Sequence, residues 1–355
     1  MKLRTMMIIA ALGISMLSAV ANDGVYYVRG AELVPVRETE VSVRSEVLTI
    51  SLCDDGFAKV DVDYEFYNHG AEKTIQMGFE AAKPYNTEDT LNPKGIHPYI
   101  YGFTVEVNGE KMPYRNAVVE PGLLDTPYTG IKDDRPEEFE QYSYAYCFDA
   151  LMKEGVNRVH HTYSYKMSYG VGRTFEVPYW LTPAARWQGG VIEHFTLRIK
   201  APNTAKHFVM ADSTFRAAEF KVVEGVGKVR HIKEGWMSVV EIALRNGTVE
   251  WKVDNFRPSE DFCIQSADTY ISFNEKYPVG TFYDRSDKFV VWPQERKAPA
   301  SIARNMPFAH RGYVFKKKSL RSFFESLWWY MPDESYQPTT ADFTPREWRF
   351  MKDCR

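Results

Sequence analysis

Near the end of this 355-residue chain, Arg304, Asn305, His310 and Arg311 combine side-chain types that bind anions. A guanidinium presents a planar fork to phosphate or carboxylate, and an imidazole can donate from either nitrogen. The same four residues could instead tie loop carbonyls together inside a small module, since buried polar groups need partners. They are the binding candidates of the chain; its catalytic residues, if it has any, stay unknown from sequence.

Other clusters point less clearly to chemistry. His160 and His161 are adjacent, so in a strand they face opposite sides and cannot chelate one metal together. His161 shares its side with Val159, Tyr163, Tyr165 and Met167 and reads as a core histidine. The run Asp133-Asp134-Arg135-Pro136-Glu137-Glu138, with Glu140, offers hard oxygens but lacks the alternating Asp-x-Asp-x-Asp-Gly spacing of a calcium loop, and reads as solvated surface. Cys53, Cys147, Cys263 and Cys354 match no zinc spacing; one bridge among the first three, or free buried thiols, is the expectation. No metal and no cofactor is implied. The nucleophile elbow, the HExxH helix, the phosphate-binding loop and the dinucleotide fingerprint are all missing. A paired-carboxylate glycosidase stays open, because its two acids need not be close in sequence.

The elements that position these residues follow from periodicity. Ala58, Val60, Val62, Tyr64 and Phe66 alternate with Lys59, Asp61, Asp63 and Glu65, giving one apolar and one wet face. Leu48, Ile50 and Leu52 repeat the pattern, as do Phe195, Leu197 and Ile199. Asp54-Asp55-Gly56 predicts a turn, Asn108-Gly109 a tight hairpin, and Asn246-Gly247 a second hairpin between Leu244 and Val249. Regularly punctuated strands predict a mainly β protein with a β-sandwich at its N-terminal side.

After Pro299 the period changes. Ala303 to Phe308 fits a short helix ended near Gly312. Leu320, Phe323, Phe324, Leu327 and Trp328 fall on one helical stripe that Pro332 stops. Thr344-Pro345-Arg346-Glu347 is a capping box that starts a last helix. The fold class expected is therefore a β-sandwich followed by a small α-helical module.

Composition and the N-terminus supply an address. Met1 to Thr5 is basic, Met6 to Val20 is apolar, and Ala19-Val20-Ala21 fits a signal-peptidase site, so cleavage is expected near Ala21. No cysteine follows the small residues, which argues against a lipid anchor, and no later segment is long and apolar enough to span a bilayer. Net charge is −3, yet residues 301–355 hold ten Lys and Arg against six Asp and Glu, so the acidic excess lies on the body. A basic tail on an acidic body suits an anionic partner. The expected organisation is a signal at 1–21, a sandwich at 22–275, a linker at 276–299 and a helical module at 300–355.

The stretch Arg304-Asn305-Met306-Pro307-Phe308-Ala309-His310-Arg311-Gly312-Tyr313-Val314-Phe315, followed by Lys316-Lys317-Lys318-Ser319-Leu320 and Phe323-Phe324, resembles the core of the YARHG domain of bacterial extracytoplasmic proteins. Arg304, Asn305, Ala309, Gly312, Tyr313, Phe315, Leu320 and Phe324 sit where that pattern expects them, and Trp329-Tyr330 resembles its downstream pair. Phe308 replaces the name-giving tyrosine, and the Arg-His order is reversed to His310-Arg311. Farther upstream, the strand Val60 to Asn68 and the stretches from His160 and from Tyr179 resemble the DUF4424 family of secreted bacterial β-proteins.

These resemblances imply an exported envelope protein, periplasmic or secreted. The leading expectation is a non-catalytic binding protein whose partner is a cell-wall polymer or another envelope protein, with no nucleic acid involved. The alternative is a cell-wall-acting hydrolase with its site near the motif.

Overall fold

The computed structural model describes residues 21–29, 32–36, 38, 40–81, 100–119, 143–170, 173–211, 213, 215, 219–234, 237–267, 280–283, 289–292 and 300–353. Residues 1–20, the acidic run 133–140 and Cys354 lie outside them. The chain is mainly β, with helices at its C-terminal end. Its strands are β1 Ala21–Arg29, β2 Glu32–Val36, β3 Val41–Leu52, β4 Phe57–Asn68, β5 Lys73–Ala81, β6 Ile100–Val107, β7 Glu110–Lys111, β8 Arg115–Val119, β9 Ser143–Met152 and β10 Gly155–Lys166. They continue with β11 Ser168–Gly170, β12 Arg173–Tyr179, β13 Ile192–Ala201, β14 Lys206–Ala211, β15 Lys221–Glu234, β16 Met237–Phe256, β17 Phe262–Ser266, β18 Gly280–Tyr283 and β19 Phe289–Trp292. The helices are α1 Ala300–Ala303, α2 Met306–His310, α3 Lys318–Glu325 and α4 Pro345–Asp353.

Strands β1, β2, β8, β9 and β5 close into a small barrel, and a twelve-stranded sheet runs β11-β12-β17-β14-β16-β13-β3-β4-β10-β6-β7 with β15 added on β16. The two layers meet through rings. Phe79 of β5 lies 4.8 Å from His161 and 4.5 Å from Tyr163, both on β10, and Tyr146 of β9 lies 4.7 Å from Phe103 of β6. Such ring pairs add roughly 0.5–1.5 kcal/mol beyond the area they bury. His161 is thus the core histidine that its neighbours on the strand predicted. Along β4 the alternation is as read: Ala58, Val60, Val62, Tyr64 and Phe66 are buried while Asp61 and Asp63 face out.

Asn108 and Gly109 both have positive φ, 52° and 84°, and turn β6 into β7 as expected. Asn246-Gly247 does not make a hairpin. Both residues lie inside one 20-residue strand, β16. Before the pair, Val239 to Leu244 bond to β14; after it, Gly247 to Phe256 bond to β13. Asn246 at φ 43° bends the strand from one partner to the next. A chain reversal would have required the flanks to pair with each other, and β13, β14 and β15 already hold their edges. A side chain at 247 would come within 2.4 Å of the Glu224 carbonyl, so the bend needs glycine there.

Cys53, Cys147 and Cys263 are free thiols, so the disulfide alternative does not hold for them. Burial pushes the Cys147 thiol up to about 11. Within the interval read as linker, β18 pairs with β19 in antiparallel register. No helix among the described residues is long and apolar enough to cross a membrane.

Candidate functional site

The motif begins with a short helix. Asn305 and Pro307 open α2, and Arg311 closes it. Gly312 follows at φ 81°, the left-handed cap expected of it. An added Cβ there would lie 2.6 Å from the Met331 carbonyl oxygen and 3.1 Å from the Arg245 guanidinium. The glycine therefore serves both the turn and the approach of the module to the sheet.

Arg311 points inward. Its Nη1 donates to Glu347 Oε1 at 2.6 Å and its Nη2 to Oε2 at 2.9 Å, a bidentate pair buried in the module. The other hydrogens on Nη1 and Nη2 go to the carbonyls of Pro307 and Asp342, and the guanidinium lies 4.7 Å above the Phe343 ring. Glu347 is also the acid of the predicted capping box. It accepts from the Thr344 amide at 2.8 Å, while its own amide donates to Thr344 Oγ1 at 3.2 Å. One carboxylate thus anchors both the start of α4 and the motif arginine.

The other three candidates do not join Arg311 in a cleft. Asn305 donates its side-chain amide to the Ser301 carbonyl at 2.6 Å. Half-buried His310 packs 4.8 Å from the Trp329 ring, and its carbonyl accepts from the Ala205 amide at 2.7 Å. Burial first, then the Arg311 charge, hold its imidazole down to about 4. It is neutral at neutral pH. Arg304 is exposed and shares no hydrogen bond with the other three among the described residues. Phe308, in the tyrosine position, is half-buried and sits 4.6 Å from the Phe343 ring and 5.8 Å from the Tyr313 ring.

The predicted amphipathic helix is shorter than its stripe. Phe323, Phe324 and Leu327 are buried as expected, but α3 ends at Glu325. Ser326 donates its hydroxyl to the Phe323 carbonyl at 2.6 Å. Farther on, the carbonyls of Trp328 and Tyr330 accept from Lys228 of β15 at 3.0 and 2.9 Å. These bonds satisfy carbonyls that no intrahelical amide could reach, since Pro332 has no N–H to offer Trp328 and stops a helix short of residue 334.

Those bonds belong to a polar junction between module and sheet that sequence reasoning missed. Glu241, fully buried on β16, accepts from His207 Nε2 at 2.7 Å and from Arg230 Nε. Burial pushes the Glu241 carboxyl up, yet these two partners outweigh it and hold the group below the ordinary range. Trp328 covers the network: its ring lies 4.3 Å from the Arg230 guanidinium and 5.7 Å from the His207 ring. Nearby, Arg245 faces Asp333 at 3.4 Å. On the far side, Asp54 accepts from Lys206 at 2.8 Å and from the Thr204 hydroxyl, and these contacts keep its carboxyl low against the opposing push of burial. The available signal was Glu241 itself, a lone charge inside the apolar run Val239 to Leu244.

Comparison with known proteins fits this construction. Residues 294–353 match the YARHG domain. Residues 121–210 match DUF4424, a domain of unknown function. The YARHG match takes in the motif residues but begins six residues before the module expected from 300, and the DUF4424 match lies inside 22–275, taking in the stretches from His160 and Tyr179 but not the strand Val60 to Asn68. The YARHG match contains the Arg311–Glu347 pair and Trp328, while the DUF4424 match ends within β14, after His207. In fold the chain is similar to a candidate nutrient binding protein from Legionella pneumophila, at 17% identity and a TM-score of 0.50, covering 96% of this chain and 100% of that one. At that identity the likeness shows the fold alone. An M1 zinc metallopeptidase from Deinococcus radiodurans aligns at 8% identity and a TM-score of 0.25, over 65% of this chain and 43% of its own, which bears on nothing further. No curated protein matches the chain.

Proposed function

We propose that this chain is an exported protein of the bacterial envelope, cleaved near Ala21, that binds a partner without transforming it. Its parts on this reading are a sandwich over 22–275, a connection over 276–299 and a YARHG-type module over 300–355. The observation that carries the reading is the division of labour among the module's cations. Arg311 is spent on Glu347 and two carbonyls, whereas Arg304, Lys316, Lys317 and Lys318 are exposed; Arg321, also exposed, faces Glu325 at 3.3 Å. A free cationic rim on an ordered scaffold is suited to an anionic polymer of the cell wall. A hydrolase centred on His310 has less support, because the ring lies against Trp329 and Arg311 is committed elsewhere.

Sedimentation of the purified chain with cell-wall sacculi tests this. Changing Lys316, Lys317 and Lys318 together to Glu should abolish pelleting, and raising salt should weaken it, since exposed charges are screened over roughly 8–10 Å at physiological ionic strength. Undiminished pelleting by the triple variant would overturn the role of the rim. Retention by an envelope protein and not by sacculi would move the partner from polymer to protein. Release of soluble fragments from sacculi, lost in His310→Ala, would replace binding by hydrolysis.

A further inference from the structure

The outer face of the large sheet carries a second cluster, remote in sequence from the motif. Asp61 and Asp63 stand two apart on β4, so both point to the same side. In the register of β4 and β10, His160 lies opposite Asp63, and Thr162 lies opposite Asp61. On the other side of β10, Glu106 of β6 lies opposite His160. One transverse row of the sheet therefore reads Glu106, His160, Asp63, with Asp61 in the next row. One ligand atom each from Asp61, Asp63 and His160 lies within 4.8 Å of the other two. His160 Nε2 is 3.4 Å from Asp61 Oδ1. That separation is about the edge of a tetrahedron with bonds of roughly 2.1 Å, the length zinc makes to nitrogen and oxygen.

Two further observations bear on the same place. The surface there is concave: a depression of about 500 Å³ is walled by Asp63, Glu65, Glu106, Arg158 and His160 among others. Its charge is also net acidic. Asp61, Asp63, Glu65 and Glu106 outnumber the cations beside them: Arg158, which faces Glu65 at 3.7 Å, Lys59, two residues before Asp61 on the same face of β4, and Lys111, opposite Glu106 in the register of β6 and β7. A cation in the depression would relieve that excess.

We propose that Asp61, Asp63 and His160 form a binding site for a divalent first-row transition cation, with zinc the best fit. One imidazole and two carboxylates form a borderline donor set; calcium would call for oxygen ligands only, and cuprous ion for sulfur. Three protein ligands leave coordination positions open toward the depression, where Glu106 stands as an additional acid. The site lies on the sandwich and does not depend on how the C-terminal module binds its partner.

The test uses the full mature chain, stripped with a chelator and titrated with Zn²⁺ in competition with a chromophoric chelator. One equivalent should bind, and His160→Ala and Asp63→Asn should each weaken it by at least roughly tenfold, the lower end of the loss seen even for outer-sphere partners. His194→Ala is the control, because His194 is an exposed histidine on β13, separated from β4 by β3, and is bonded to Asp254 of β16 at 2.8 Å; it should bind as the parent does. All three side chains are exposed or half-exposed, so the circular dichroism of the variants should match the parent. With Co²⁺ the visible spectrum should show nitrogen and oxygen ligation without a thiolate charge-transfer band. Equal affinity in His160→Ala, a thiolate band pointing to Cys53 or Cys263, or no binding to the stripped chain would each overturn the site.

Discussion

Two buried carboxylates, Glu347 in the helical module and Glu241 in the sheet, hold arginines in different ways. Glu347 meets Arg311 in a bidentate pair and also caps its own helix, so all of its partners lie within the module. Glu241 takes His207 and Arg230 from two other strands, and the lid over that network, Trp328, comes from the module. The first pair closes a small unit on itself. The second joins that unit to the sheet. Similar chemistry thus serves internal order in one place and docking in the other, and the difference lies in where the partners come from.

The largest expected effect breaks the first of these. Removing one member of a buried ion pair leaves the other uncompensated, so Glu347→Ala should destabilise the protein by about 3–5 kcal/mol in denaturant unfolding. Replacing both, as Arg311→Met with Glu347→Leu, should recover much of that loss. If the double variant is no better than the single one, the carboxylate matters mainly as a helix cap.

A pH titration separates the module from the sheet. His310 is held near 4 in the folded chain and returns to about 6.5 when unfolded. The unfolded state therefore takes the proton first, and stability should be constant above pH 6.5, then fall as pH drops toward 4, by up to about 3 kcal/mol. His310→Gln should flatten this slope. The carboxyls of buried Glu241 and exposed Asp54 run below their ordinary values of 4.5 and 3.8, so their contribution is lost only at lower pH. A slope between pH 6.5 and 5 that survives His310→Gln would assign it to another group.

The smallest effect sharpens the comparison at the junction. Trp328→Leu keeps an apolar lid but removes the ring from Arg230, which should cost about 1 kcal/mol. Glu241→Gln should cost more, because it strips the charge from two donors at once. Equal effects would mean that the lid contributes no more than apolar cover.

Much of the fold was legible. The alternation over β4 set the buried face, Asn108-Gly109 set a hairpin, and Thr344 with Glu347 set the start of α4. Asn246-Gly247 was not legible, because a positive φ bends a strand as readily as it reverses one, and only the neighbouring strands decide which. The length of α3 was hidden because its apolar stripe is buried on both sides of the helix end: Phe323 and Phe324 lie within α3 and Leu327 beyond Glu325, while Lys228, far away in sequence, takes the carbonyls of Trp328 and Tyr330. The motif candidates were identifiable by type, but nothing local told that Arg311 would turn inward to Glu347.

By itself the sequence determined the periods, the turns, the caps and the class of fold. These follow from covalent geometry and side-chain pattern over a few residues. The tertiary structure alone decided which charges meet: Arg311 with Glu347, Glu241 with His207 and Arg230, and Asp61 and Asp63 with His160. Strand register and module docking are settled by the burial of whole faces, and that free energy is shared among residues far apart along the chain.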